Sequence, residues 1–152
     1  MNTAQNIAHY VLHLFQQSGE SITNLKLQKL LYYIQGWHLG LYHESIFDED
    51  FEAWIHGPVV PSVFQEFKAN KWWPILEEAN CTSLGNKAIE KHIDDVLEVF
   101  GACNAYELEL MSHREMPWIK ARNGIDPTAQ SNAIITKASM EDFFSKRAKD
   151  VE

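Results

Sequence analysis

Two histidines near the start of the chain have the spacing of a metal-binding pair. His9 and His13 are four residues apart in a segment whose apolar residues recur at helical spacing, so one metal ion could bind both imidazoles. No third ligand accompanies them, and the apolar residues occupy the other side of that helix. We therefore predict that both histidines lie on the polar, solvated side, and we expect no metal or other cofactor.

A tryptophan and a histidine precede a stiff turn in residues 53–61. Trp54 and His56 share one face if this segment is a strand, and Gly57-Pro58 then fixes the path of the backbone. Glycine and proline can serve architecture alone, with Trp54 covering the core. The same residues could instead form a rigid recognition element, because tryptophan and preorganised backbone are typical of binding hot spots.

A second cluster, residues 110–118, places a titratable histidine between two helical turns. His113 lies five residues before Trp118, and Pro117 suits the first turn of a helix. The imidazole could have a structural role, capping a helix end or binding a backbone carbonyl. It could also belong to a recognition surface together with Trp118.

A catalytic alternative pairs His113 with a carboxylate, either Glu115 or Glu107, in a small hydrolase or metal-dependent enzyme. The chain has no glycine-rich phosphate loop, no Gly-x-Ser-x-Gly motif and no cysteine nucleophile with a recognisable partner. The sequence therefore favours a binding protein over an enzyme, and we predict no catalytic residues.

We expect the two clusters to meet and form a shaped, rigid surface for another protein. The candidate partner-binding residues are Trp54, His56, Gly57, Pro58, His113, Pro117 and Trp118. Composition alone does not separate core tryptophans from interface tryptophans. Trp37, Trp72 and Trp73 are therefore also eligible for such a surface.

The elements that position these residues are predicted to be mainly helices. Apolar spacing and capping residues predict a helix between Thr3 and Gly19, and a second, central helix that starts at Thr23 and carries an apolar face to Leu41. Further helices are expected after Pro61, over 87–100, from Asn104 through Met111, at Pro117, and from Ser139 onward. The predicted fold is mainly α, one domain over residues 1–152 with six to seven helices.

One short β element interrupts the helices after the second. Residues 51–56 alternate with period two, and Gly57-Pro58 is expected to end that strand. We expect it to pair with residues 45–47 through an acidic turn at 48–50. Residues 134–135 form a second short extended piece.

Charge and composition exclude several classes of protein. The 152 residues include 13 Lys+Arg and 21 Asp+Glu, a net charge of 13 − 21 = −8 that the two halves share equally. This balance disfavours nucleic acid as the main ligand. Cys81 and Cys103 lack the spacing of a zinc or redox motif, and no secretory leader or membrane span is visible. We expect a cytoplasmic protein with reduced thiols.

The motifs occur in a familiar order and together resemble the Panacea domain, the SocA-like antitoxin family often carried by prophages. The resemblance covers about residues 5–145. It is carried by residues 25–33 with Gly36-Trp37, by Ala53-Trp54 with residues 57–61, and by Leu108, Ser112-His113 and Pro117-Trp118.

This resemblance implies a mainly helical domain that neutralises a toxin, encoded beside it, by direct protein contact. It leaves a proteolytic adaptor as the alternative, in which the bound toxin is delivered to a ClpXP-type protease. The net charge agrees with the first role in one respect, because a −8 domain is steered toward a basic partner.

Overall fold

A computed structural model describes residues 1–150 and confirms a mainly α fold with a small sheet after the second helix. In chain order the elements are α1 (Ala4–Gln17), α2 (Asn24–Tyr42), β1 (Phe51–Trp54), β2 (Gly57–Val59), α3 (Pro61–Glu66), a 3₁₀ turn (Lys68–Asn70), α4 (Lys87–Phe100), α5 (Ala105–His113), α6 (Met116–Arg122), β3 (Ile134–Ile135) and α7 (Lys137–Asp150). Within this described part, no helix combines the length and apolar character needed to cross a bilayer.

Helix α2 is the centre of the fold, as its wide apolar stripe predicts. The Thr23 side chain accepts the Lys26 N–H and caps its first turn, and most of the helix is buried between α1, α4, α5 and α7. Helix α7 lies closest. A Cβ atom on Gly40 would stand 2.6 Å from the backbone of Phe144, so glycine permits this close helix contact.

The sheet is antiparallel in the order β2-β1-β3, with Ala53 opposite Pro58 and Glu52 opposite Ile134. The predicted pairing of the first strand with residues 45–47 is wrong. The buried Gln35 side chain bonds the Ile46 N–H and the Phe47 carbonyl, at 2.7 and 2.8 Å, and so occupies those backbone groups. Gly57-Pro58 does not end the β structure but begins β2 after a two-residue turn.

The prediction that His9 is solvated is also wrong, because its side chain is buried. Its side chain is covered by α3 and by the loop after the 3₁₀ turn, two segments distant in sequence. Nε2 lies 2.5 Å from a Glu66 carboxylate oxygen, and Nδ1 accepts the Asn80 backbone N–H at 3.1 Å. His13 is half-buried. No group of three potential metal ligands occurs in residues 1–150.

Local signals located the other helix ends with small errors. The capping box of Asn104 and Glu107 at α5 is confirmed, as are the bounds of α4. Helix α7 begins two residues before the predicted Ser139, because the Thr136 hydroxyl accepts the Ser139 N–H. Leu41 lies outside the apolar face of α2 and is 46% exposed.

Candidate functional site

The two clusters singled out in the sequence meet in the structure. The indole N–H of Trp118 in α6 donates to the Trp54 carbonyl at the end of β1, at 2.8 Å. The His113 ring stacks on the Trp118 indole, with centroids 4.0 Å apart and planes 17° apart. In the turn between β1 and β2, His56 Nδ1 lies 3.1 Å from a Glu109 carboxylate oxygen of α5. The two clusters are therefore close together, and their binding to a partner remains a prediction.

A buried arginine side chain also holds the end of β1 in place. Arg122 is 2% exposed and donates to the Ala53 carbonyl at 2.9 Å, and its second terminal nitrogen bonds the carbonyls of Asp126 and Ala129. Its guanidinium carbon also lies 4.7 Å from the Trp118 ring centre. Arg122 is not among the residues predicted from the sequence, because a basic residue in the last turn of a short helix is usually solvated.

Lys29 of α2 lies directly beneath the β1–β2 turn and is 1% exposed. Its ammonium has one long contact, 3.4 Å to the Pro58 carbonyl, and burial lowers its pKa to about 7. A Cβ atom on Gly57 would stand 2.8 Å from Lys29 Cε and 2.9 Å from Ser112 Oγ. With φ at +103°, Gly57 is required both for its conformation and for this space.

The His113 ring is half-buried and stacked rather than solvated. Burial lowers its pKa, and the Glu109 charge and a backbone hydrogen bond to Ile55 offset this in part. Its Nε2 atom is buried without a hydrogen-bond partner among the described residues. The ring therefore contributes mainly through its contact with Trp118.

The two carboxylates considered for a catalytic pair have other partners. Glu115 is buried, accepts the Tyr33 hydroxyl at 3.2 Å, and has its pKa raised by burial to about 7. Glu107 closes the capping box of α5. Within residues 1–150, no hydrogen bond joins His113 to either carboxylate, so the catalytic arrangement is not assembled in this structure.

An open groove of about 760 Å³ lies beside the β1–β2 turn, and we call it the hairpin groove. It is lined by Leu25, Glu52, Trp54, Ile55, His56, Val59, Phe64, Gln130, Ser131 and Asn132. The Trp54 ring is half-buried and meets Phe64 edge-on at 5.0 Å, and its N–H donates to Glu52 at 2.8 Å. The groove wall thus combines two packed aromatic rings with one carboxylate whose position is fixed by a hydrogen bond.

The seven predicted surface residues divide between this groove and the interior. Trp54 and His56 line the groove, and the His56 side chain is 63% exposed. His113 is half-buried. The other four are buried: Gly57, Pro58, Pro117 and Trp118.

The remaining tryptophans are now separated by their exposure. Trp37 is half-buried and packs against Phe144 at 5.4 Å. Trp72 and Trp73 are 75% and 70% exposed, and Leu76 in the same loop is 84% exposed. None of these three loop residues lines the hairpin groove. The loop is therefore a second exposed apolar surface that sequence reasoning could not distinguish from core.

Comparison with known proteins gives two matches that cover the hairpin and the helices around it. The family model described as "Antitoxin SocA-like, Panacea domain" matches residues 27–119, more than half of the chain. Antitoxin SocA of Caulobacter vibrioides (strain NA1000 / CB15N) is 31% identical over 133 residues, which cover 80% of this chain and 71% of that protein. No solved structure gives a significant match.

Proposed function

The chain belongs to the SocA-like antitoxin family with a Panacea domain, and on this premise we propose that it neutralises a toxin by direct protein contact through the hairpin groove. The observation that carries the proposal is the groove itself. A half-buried tryptophan forms part of its wall, and hydrogen bonds from two buried side chains, Trp118 and Arg122, hold the backbone behind that tryptophan.

Preorganisation is what makes this surface suitable for tight binding. Trp118 and Arg122 bond the carbonyls of Trp54 and Ala53, so the strand that carries Trp54 is fixed before a partner arrives. Little conformational entropy is therefore lost at this site when a partner binds, so little affinity is lost. An aromatic ring in a partly buried pocket is the residue type that dominates binding energy at interfaces.

The expected partner is a toxin encoded in the same operon, and the proposed site of action is the cytoplasm. The net charge of −8 favours encounter with a partner that is basic on its docking side. Neutralisation by contact needs no catalytic group on this chain, so we propose a binding protein rather than an enzyme.

An adaptor that delivers the toxin to a ClpXP-type protease is the second candidate. An adaptor needs two separate surfaces, one for its cargo and one for the protease. The exposed loop with Trp72, Trp73 and Leu76 supplies a second apolar surface, and none of its three residues lines the hairpin groove.

Co-expression from the native locus tests the antitoxin proposal. The tagged chain is purified together with the products of both neighbouring genes, and bound proteins are identified by mass spectrometry. We expect one neighbour to copurify in stoichiometric amount and to arrest growth when expressed alone. If neither neighbour binds and neither is toxic, the proposal is wrong for this chain.

A matched pair of variants then tests the site and the mechanism. Trp54→Ala is expected to abolish protection against the toxin, whereas Trp72→Ala, an equal truncation outside the groove, is expected to retain it. The wild-type chain is also expected to protect cells that lack the protease. Protection that disappears in those cells would support the adaptor instead.

A further inference from the structure

The side chains that line the hairpin groove include an acidic residue and no basic one. None of its ten lining residues is Lys or Arg, and Glu52 contributes a carboxylate from the middle of β1. Glu109 lies next to the groove through its contact with His56. Two buried basic side chains lie behind the hairpin: Lys29 at the Pro58 carbonyl and Arg122 at the Ala53 carbonyl. A partner group in the groove therefore meets negative charge.

Glu52 is placed to receive a cation and is not already paired with one. Its Oε1 accepts the Trp54 indole N–H at 2.8 Å, which fixes the carboxylate beside the aromatic ring. In the described chain, Oε2 has no hydrogen-bond partner and Glu52 forms no salt bridge. One carboxylate oxygen thus remains available next to the indole.

Arginine is the side chain whose chemistry matches this pair. A guanidinium is planar, donates to a carboxylate in a fixed geometry, and stacks on aromatic faces. A lysine ammonium would satisfy the charge but not the stacking. Leu25, Val59 and Phe64 add apolar contacts in the same groove, and the amides of Gln130 and Asn132 can bond a peptide backbone.

The size of the groove limits what it can hold. Its volume of about 760 Å³ falls within the roughly 300–1,000 Å³ range of pockets that enclose a drug-sized ligand. A space of this size suits a few side chains of an extended segment rather than a folded domain.

We propose that the hairpin groove recognises an arginine flanked by apolar residues on the toxin, with the guanidinium between Glu52 and the Trp54 ring. This inference rests on the proposed antitoxin function for the identity of the partner. The recognition chemistry itself can be tested on the chain alone.

The probe is the peptide acetyl-Gly-Leu-Arg-Leu-Gly-amide, titrated into the isotope-labelled chain while the five tryptophan indole N–H signals are followed by NMR. We expect the Trp54 signal to shift, because its hydrogen bond to Glu52 changes, and the Trp72 and Trp73 signals to stay in place. A lysine analogue should bind about threefold to tenfold more weakly, and a glutamate analogue should not bind.

Two charge-neutralising variants provide the matched control. Glu52→Gln keeps an oxygen for the Trp54 indole but removes the charge, and it should weaken the arginine peptide about tenfold. Glu78→Gln makes the same change on an exposed residue outside the groove and should leave binding unaltered. No binding at up to about 10 mM peptide, equal binding of the glutamate analogue, or no effect of Glu52→Gln would each overturn the inference.

The same two variants, measured against the copurified toxin, separate this inference from the proposed function. If a toxin binds and its affinity is the same for Glu52→Gln and wild type, arginine recognition is wrong while the antitoxin function stands. If no toxin is found but the peptide results are as expected, the antitoxin proposal fails and the recognition chemistry is supported.

Discussion

The two faces of the β1–β2 hairpin have opposite character although their residues come from the same short motif. The groove face, Glu52, Trp54 and His56, is half-buried or exposed and carries polar atoms that a partner can reach. The supporting face is buried and includes Gly57 and Pro58. Three buried side chains pack against these two residues or against β1: Lys29, Trp118 and Arg122. This difference is what we expect if one face provides recognition and the other provides rigidity.

The largest effect is expected from Trp118, the main side chain of the supporting face. Trp118→Ala removes a 4% exposed indole and its hydrogen bond to the Trp54 carbonyl, and should lower the free energy of unfolding by about 3–5 kcal/mol. Urea denaturation followed by circular dichroism measures this loss. Trp118→Phe keeps most of the volume and is the milder control. A loss below about 1 kcal/mol for the alanine variant would contradict the supporting role.

Gly57→Ala tests whether the turn is tightly packed on its support. The added Cβ combines an unfavourable positive φ with contacts under 3 Å to Lys29 and Ser112, and should cost about 1–3 kcal/mol. Gly124 is the matched control, because its φ is +83° and a Cβ atom there would meet nothing within 4 Å. Equal losses of unfolding free energy in both variants would show that backbone strain alone acts at Gly57.

Lys29, on the supporting face, makes the free energy of unfolding depend on pH. Its pKa is about 7 in the folded chain and about 10.4 in an unfolded one. Between these values the unfolded state binds more protons, so the free energy of unfolding rises with pH, by at most about 1.4 kcal/mol per pH unit. Guanidinium denaturation from pH 7 to 9 measures the slope. Lys29→Met should remove it, and an unchanged slope would exclude Lys29 as its origin.

Glu115 acts in a lower window and in the opposite direction. Burial raises its pKa to about 7, above the ordinary value of 4.5, so its contribution to stability is present at low pH and is lost as the pH rises toward 7. Measurements well above pH 7 therefore separate the Lys29 contribution from that of Glu115, and comparison with Lys29→Met separates it from Lys26, whose pKa burial also lowers.

The smallest effect is expected on the groove face. His56→Ala removes a largely exposed side chain and one contact to Glu109, so it should lower the free energy of unfolding by less than about 0.5 kcal/mol. The same denaturation experiment checks it. A loss comparable with that of Trp118→Ala would mean that the two faces do not differ in the way proposed.

Much of the fold could be read from local patterns. Each of these patterns lies within a turn or two of the helix that it predicts. They are the caps at Thr3, Thr23 and Asn104, the period of the apolar residues in α2, and the capping box of α5. The meeting of the two motif clusters was also expected and is present, through Trp118 and Trp54. The strand pairing was not predictable in this way, because Gln35 competes for the backbone of residues 45–47.

The sequence by itself determined the helical character of the chain, its acidic charge and the order of its family motifs, since these depend on residue type and short spacing. Only the tertiary structure decided which of those residues a partner can reach. His9, Lys29 and Arg122 are polar side chains that the sequence would leave in solvent. They are buried because segments distant in sequence fold over them and supply their hydrogen-bond partners.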